Sequence, residues 1–376
     1  MKTGSDPFRG TDDAPDINSL PYDPDLEDPE EEEQEESQLF EHFSLTVDKG
    51  QTPLRIDRFL VDKMAGVSRN RISLAAEAGA IFVNDRPVKS NYKVKPLDVV
   101  SLRLERPRHE FEITKEDIPL DIVYEDESLM VINKPAGMVV HPGHGNYTGT
   151  LLNGIAYYLR NSPDYDPEDP RLGLVHRIDK DTSGLLVVAK TPEVKTALSR
   201  QFFVKSTRRE YEALIWGTPK ESSGVIRTNL GRDPKDRLRM TTFPYEGEVG
   251  KSAVTHYEVL EILGYVSRIR CILETGRTHQ IRVHMMSIGH PIFNDARYGG
   301  DRILRGNHFS KYKKFVDNCF EVCPRQALHA RSLGFYHPVL QRDLDFEVPL
   351  PPDMEQLVDK WRRYAEAGML EPDDNL

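Results

Sequence analysis

Three short segments of this 376-residue chain hold residue types that can do acid–base or nucleophilic chemistry. "GLVHRIDKDTSGLLVVAKT" (173–191) sets Asp179 and Asp181 among cations, between two apolar runs. "ETGRTHQIRVHMMSIGHPIFNDARYG" (274–299) places Arg277, His279, Arg282 and His284 in and just before a predicted helix. Arg282 lies one turn or less from His279 there and can point the same way. "RREYEALIWG" (208–217) puts Tyr211 on a predicted strand. Taken alone, the first segment reads best as a structural loop with an Asx-type cap. Taken together, the three supply one carboxylate and one arginine to pair with it bidentately and keep it ionised while partly buried. Tyr211 adds a face for a planar ring and a polar tip, which completes a small acid–base constellation.

Competing chemistries fail on spacing. Gly250-Lys251-Ser252 ends like a phosphate-binding loop, but Tyr245 stands where that motif needs glycine. "DTSG" lacks the glycine two before Ser183 that a nucleophile elbow needs. His279 and His284 are five apart, and His141 and His144 sit in a Pro/Gly turn, so neither pair matches helical zinc spacing with a third ligand. No metal is expected. Cys271, Cys319 and Cys323 form no even framework and no CxxC, which fits a reducing cytosol.

The elements that must hold these residues read as α+β. "LDIVYEDESLMVINKPAGMVVHP" predicts strand, acidic turn, strand, a Lys134–Gly137 turn and a further strand. "TGTLLNGIAYYLRN", "VKTALSRQFFVK" and "THQIRVHMMSIG" predict helices, while "RREYEALIWG", "SAVTHYEVLEIL", "SRIRCILETG" and "LGFYHPVL" predict strands. The expectation is a mixed, mainly antiparallel sheet flanked by helices. "GRDPKDRLR" (231–239) reads as an exposed cationic loop between two strands. The segment 301–324, with five Lys/Arg plus Phe309 and Tyr312, reads either as an extension of a cationic binding surface or as a variable surface loop.

Charge is divided unevenly along the chain. Residues 1–40 hold 14 Asp/Glu against Lys2 and Arg9, whereas the remaining residues carry 47 acidic and 48 basic side chains. Residues 1–43 are read as a disordered acidic tail, 366–376 as an acidic C-terminal tail, and 106–118 as a linker. No 18-residue apolar run and no signal h-region is present, so neither a membrane span nor secretion is expected, and a cytoplasmic location is. Residues 47–110 carry a net charge of +5. There "TPLRIDRFLVDKMAG" and "SRNRISLAAEAGA" predict two helices, with Ser68 as N-cap and Gly79 as stop, followed by short strands around Asn84-Asp85. This order, with Arg55-Ile56-Asp57-Arg58, Ser68-Arg69, Gly79 and Val83-Asn84, resembles the S4 RNA-binding domain, over 44–105. Arg55, Arg58, Arg69 and Arg71 are the expected contacts to RNA phosphates.

Behind that domain come "INKPAGMVVHPGHGN", "HRIDKDTSGLLVVAKT", "RREYEALIWG", "TGRTHQIRVHMMSIGHPI" and "RQALHARSLGFYHP", in this order. Together they resemble the RluA-type family of RNA pseudouridine synthases, most closely its branch acting on the ribosomal large subunit. The resemblance covers about residues 44–350, with a catalytic domain set at 119–365. It implies the pseudouridine synthase fold and isomerisation of uridine to pseudouridine in large-subunit (23S) ribosomal RNA, without metal or cofactor. It also implies a role for each matching residue. Asp179 is the catalytic aspartate, acting either on C1′ as a nucleophile or on the 2′ proton to give a glycal. Arg282 pairs with it, Tyr211 stacks on the uracil, and Arg177 fills the space left by the extruded nucleotide. Ile178 replaces the commoner leucine, a conservative change. The expected partner is ribosomal RNA or a large-subunit precursor, with the protein a monomer. The competing reading is a non-catalytic RNA-binding or ribosome-assembly factor of the same fold.

Overall fold

The computed structural model describes residues 40–64, 69–104, 113–143, 146–163, 169, 171–236, 238–307 and 309–367. They divide into two units, with described residues 40–104 in the first and 113–367 in the second.

The first unit runs β1 (Phe40–Thr46), α1 (Ile56–Lys63), α2 (Arg69–Glu77), β2 (Ile81–Val83), β3 (Arg86–Pro87) and β4 (Val99–Leu104). Its sheet has the order β1-β4-β2-β3 and is antiparallel throughout. β1 is the element missing from the sequence-based order, and the expected start at residue 44 falls inside it. Asn84 and Asp85 turn β2 into β3 with φ of 48° and 62°, the left-handed values that a two-residue hairpin turn demands. Ile56, Phe59 and Leu60 of α1 pack with Ile72 and Ala76 of α2 on Ile81, Val83 and Val100. Ser68, the expected N-cap, lies outside the described residues.

The second unit begins with β5 (Ile122–Glu125), β6 (Leu129–Lys134), α3 (Leu151–Tyr158), β7 (Ser183–Ala189), α4 (Pro192–Phe203) and β8 (Arg208–Trp216). It continues through β9 (Ser223–Arg232), β10 (Met240–Phe243), β11 (Lys251–Ile262), β12 (Val266–Leu273) and α5 (Gln280–Ser287). It ends with α6 (Ser310–Val322), β13 (Leu328–His337), β14 (Arg342–Glu347) and α7 (Pro352–Glu366). The ten strands form one sheet ordered β10-β9-β11-β12-β8-β13-β7-β6-β5, with β14 on β13. Every recorded pairing is antiparallel except β7 with β13. The mixed, mainly antiparallel α+β architecture is as the sequence implied.

The unbroken apolar run of β7 follows from burial on both faces. Leu186 and Val188 join Met130 and Ile132 in a core with α3, α5, α6 and α7, while Leu185 and Val187 join Leu129, Val131 and α4 in another. Two expectations fail. Residues 138–141 form no strand, only irregular backbone ending in a bend at 140–141, and the Met138 carbonyl accepts from the Lys134 ammonium. The segment 301–324 is no loop over its second half. α6 buries Tyr312, Val316 and Cys319 against Trp361 and Tyr364 of α7, leaving Lys311, Lys313 and Lys314 exposed.

Candidate active site

Register brings the distant segments together. Gly184 of β7 lies opposite Ala330 of β13, Ala330 opposite Tyr211 of β8, and Tyr211 opposite Cys271 of β12. Asp179 therefore sits just ahead of β7, two strands from Tyr211. Gly184 is required at this seam: its φ is 120°, and a Cβ there would stand 2.2 Å from the Ala330 carbonyl oxygen.

Asp179 is held by α5. Arg282 Nη1 donates to Asp179 Oδ2 at 3.0 Å, and its Nε and Nη2 donate to the two oxygens of Asp295 at 2.8 and 2.9 Å. The expected bidentate grip exists, but on Asp295, which is completely buried; Asp179 receives one bond and keeps 21% of its side chain exposed. The fork is fixed by the carboxylate that solvent cannot reach, and a single N–H is left for the one it can. Burial opposes the charge on Arg282, but the hydrogen bonds and charge of Asp295, with the charge of Asp179, outweigh it and raise its pKa. The guanidinium also lies 5.2 Å from the Tyr298 ring centre.

Tyr298 Oη accepts from the Met240 N–H at 3.0 Å and meets His279 Nδ1 at 2.8 Å. Burial first, and then the charges of Arg282, Arg297, Arg177 and Arg232, hold the His279 pKa well below its usual value, so the neutral imidazole accepts from the tyrosine. His279 takes a left-handed backbone, φ 54°, to start α5. It thus lies beside the same ring as Arg282, as their spacing implied. Met240 opens β10, so the cationic loop before it, which does join two strands, ends against this cluster.

The turn after Asp179 is pinned by side chains rather than closed by its own hydroxyls. The Thr182 N–H donates to the Asp179 carbonyl at 3.1 Å. Ser183 Oγ meets His329 Nδ1 at 2.9 Å, and Arg325 Nη1 donates to the Asp181 carbonyl at 2.9 Å while gripping Asp353 of α7. On the other side the fully buried Lys134 donates to the carbonyls of Pro135, Met138 and Lys180, at 2.8, 2.8 and 2.9 Å. Burial, opposed by the charges of Asp181 and Asp179, leaves its pKa lowered to about 7. Three acceptors match the three protons of an ammonium, so we assign the charged form.

Tyr211 is 8% exposed. Burial raises its pKa, the charge of Arg209 opposes this and that of Asp179 adds to it, so the phenol stays protonated near the carboxylate. Arg177 is half-buried, and its charge is felt by His279. Two further histidines of these segments, His176 and His284, are structural. His176 accepts from the Val187 N–H and stacks on Phe202, and His284 bridges Thr228 and Thr255. No group of three ligating side chains suited to a metal ion occurs among the described residues.

In the first unit, Asp57 is 1% exposed and receives two bonds from Arg55 and two from Arg69, which stay 44% and 52% exposed. Its oxygen also accepts the Arg58 N–H, and the Arg58 side chain is exposed. The Arg71 side chain lies outside the described residues.

Sequence reasoning missed Asp295, Tyr298, Lys134 and the holding role of Asp57. A faint signal existed for two of them. Asp295 follows Pro291-Ile292-Phe293, and Lys134 ends the apolar run of β6; a charge inside such runs must find a buried partner.

The family described as RNA pseudouridylate synthase matches residues 128–287, and the S4 domain matches 54–100. A Chlorobaculum parvum protein named as an uncharacterized RNA pseudouridine synthase is 49% identical over 327 residues, 87% of this chain and 99% of that one. A Bacillus subtilis protein of the same description is 40% identical, covering 85% and 98%. The ribosomal large subunit pseudouridine synthase D of Neisseria meningitidis serogroup A is 41% identical, covering 84% and 80%. With Asp179 held by a buried arginine beside Tyr211, and with relatives matched along almost their whole length, this chain belongs to the RNA pseudouridine synthases, as a member carrying an S4 domain.

Proposed function

We propose that the enzyme isomerises specific uridines of large-subunit (23S) ribosomal RNA, with Asp179 as its catalytic carboxylate. The observation that carries this is the division of exposure around Arg282: Asp295 is sealed, and Asp179 is presented. One Asp179 oxygen stays oriented by Arg282, and the carboxylate acts at the ribose, either on C1′ or on the 2′ proton. The N1–C1′ bond breaks, the uracil turns in place, and C5 bonds to C1′ as the Asp179–C1′ bond breaks or as the 2′ proton returns to the glycal; the C5 proton is lost while N1 gains one. Tyr211 packs against the uracil and assists at C5. Arg177 takes the place of the extruded nucleotide in the stack.

Arg55, Arg58, Arg69 and Arg71 meet phosphates of the folded RNA without reading bases. Relatives named as large-subunit synthases, such as those of Neisseria meningitidis and Salmonella typhimurium, support ribosomal RNA as the substrate. Mapping pseudouridines in ribosomal RNA from cells lacking this protein tests the assignment. Defined large-subunit positions should revert to uridine. An unchanged large-subunit map, with losses only in other RNA, would overturn it.

A further inference from the structure

Arg209, Arg282 and Arg325 are the buried arginines among the described residues, and they are not treated alike. Arg282 grips Asp295 and Asp179, and Arg325 grips Asp353. Arg209 is 8% exposed, its Nε is buried with no hydrogen-bond partner, and no carboxylate among the described residues pairs with it. The two acidic residues that follow it along β8 are committed elsewhere, Glu210 to Arg270 and Glu212 to Arg268 and Arg331.

Its surroundings offer little compensation. The guanidinium lies 5.6 Å from the Phe202 ring centre, near the outer limit of a cation–π attraction. His176, stacked on that ring, has its pKa pulled down to about 3 by burial and then by the charge of Arg209, so it is neutral. Arg277 adds a second positive charge. Withdrawing an ion from water is costly, so a buried guanidinium without a counter-ion is an incomplete site.

The position of Arg209 says what completes it. It stands two residues before Tyr211 on β8, so the pleat sends both side chains to the same side. Nη1 lies 2.5 Å from where a Cβ on Gly276 would be, and Gly276 is exposed. The guanidinium thus lies between the segment bearing His176 and the segment bearing Gly276 and Arg277, with only a glycine over its tip.

We propose that Arg209, with Arg277 adding charge, is a phosphate subsite that holds a backbone phosphodiester next to the uridine at Tyr211. This rests on the proposed RNA substrate and goes beyond it, since it assigns a residue to the backbone rather than to the base. A planar two-donor fork suits a phosphodiester oxygen pair. The anion arrives only with the RNA, so the subsite favours binding of the correctly threaded strand. Gly276 is part of the design, because a methyl group there would displace the guanidinium.

The test compares the wild-type enzyme with Arg209→Met, Arg209→Lys and Gly276→Ala, all on one large-subunit ribosomal RNA transcript tritiated at uridine C5. Arg209→Met should raise KM roughly tenfold or more, and lower kcat far less. The slope of log affinity against log salt should shrink by about 0.7 to 0.9, one phosphate contact. Arg209→Lys should restore the slope, because it keeps the charge. The Arg209→Met melting point should not fall, since the variant removes a buried unpaired charge, whereas a purely structural arginine would lower it. Gly276→Ala should weaken binding with Arg209 intact, and it decides the matter if Arg209→Met does not fold. An unchanged salt slope in both Arg209→Met and Gly276→Ala would overturn the proposal, and so would weaker binding at constant slope, which places Arg209 on an uncharged acceptor. If the wild type releases no tritium, the proposed reaction fails, while the salt slopes still judge the subsite.

Discussion

Two arginine–aspartate clusters in this chain use the same residue types with the burial reversed. In the S4 unit the sealed member is Asp57, and Arg55 and Arg69 are half-exposed around it. In the synthase unit the sealed members are Arg282 and Asp295, and Asp179 is the partly exposed one. The buried partner orients, and the exposed partner meets the substrate. A cluster that offers cations outward suits phosphates; one that offers a single carboxylate suits chemistry at a ribose. The reversal also sets which substitutions break the fold and which break the function.

The sharpest way to break the comparison is to remove a sealed member. Arg282→Met strands Asp295 as a buried, unpaired charge, and should cost about 3–5 kcal/mol of stability as well as activity. Chemical denaturation followed by tryptophan fluorescence reads this directly, because Trp216 and Trp361, the chain's two tryptophans, both lie in the synthase unit. A loss below about 1 kcal/mol, the range of exposed ion pairs, would mean that Arg282 is not the structural partner described.

Exposed members should behave differently. Replacing Arg55, Arg58 and Arg69 together strands the buried Asp57 and should destabilise the S4 unit, while the tryptophan-monitored stability of the synthase unit stays unchanged and the salt slope of RNA binding falls by about 2 to 3, given ~0.9 per phosphate contact. An unchanged slope would remove these residues from the RNA interface.

Acid sharpens the contrast between the units. Burial lowers the pKa of His176 to about 3 and of His284 and His329 to about 4, the last also through Arg325. Their unfolded values lie near 6.5, so the unfolded chain binds the extra protons first. Their contribution is present above about pH 6.5 and lost as pH falls toward 4. Burial alone would raise the pKa of Asp57, but its bonds to Arg55 and Arg69 lower it overall, so its contribution persists until pH falls below the ordinary aspartate value of 3.8. Hydrogen exchange at pH 5 should show the synthase unit weakened while amides around Asp57 keep their protection. Equal weakening of both would contradict the assigned causes.

Much of this arrangement was legible from sequence, because local patterns carried it. The amphipathic runs placed α3, α4 and α5, and the motif order brought Asp179, Tyr211 and Arg282 forward as a set. Their partners were not legible. Asp295 reaches Arg282 only after the chain turns at Phe293–Asn294, and Lys134 meets the Lys180 carbonyl across 46 residues of sequence. β1 has a weak apolar pattern and is fixed by its pairing with β4, a contact between opposite ends of its unit. Arg209 looked like one more charge on a strand; only its burial, without a counter-ion, sets it apart.

The central claim is that the one partly exposed carboxylate of the Arg282 cluster performs the reaction. It is tested by tritium release from C5-tritiated uridine in a large-subunit ribosomal RNA transcript, with wild type and Asp179→Asn compared at matched RNA binding. The Asp179→Asn substitution removes the charge and keeps the shape, and Asp295 stays paired with Arg282. The account predicts that the wild type releases tritium and that Asp179→Asn binds the transcript but releases none. Turnover by the asparagine variant at the wild-type rate would contradict it.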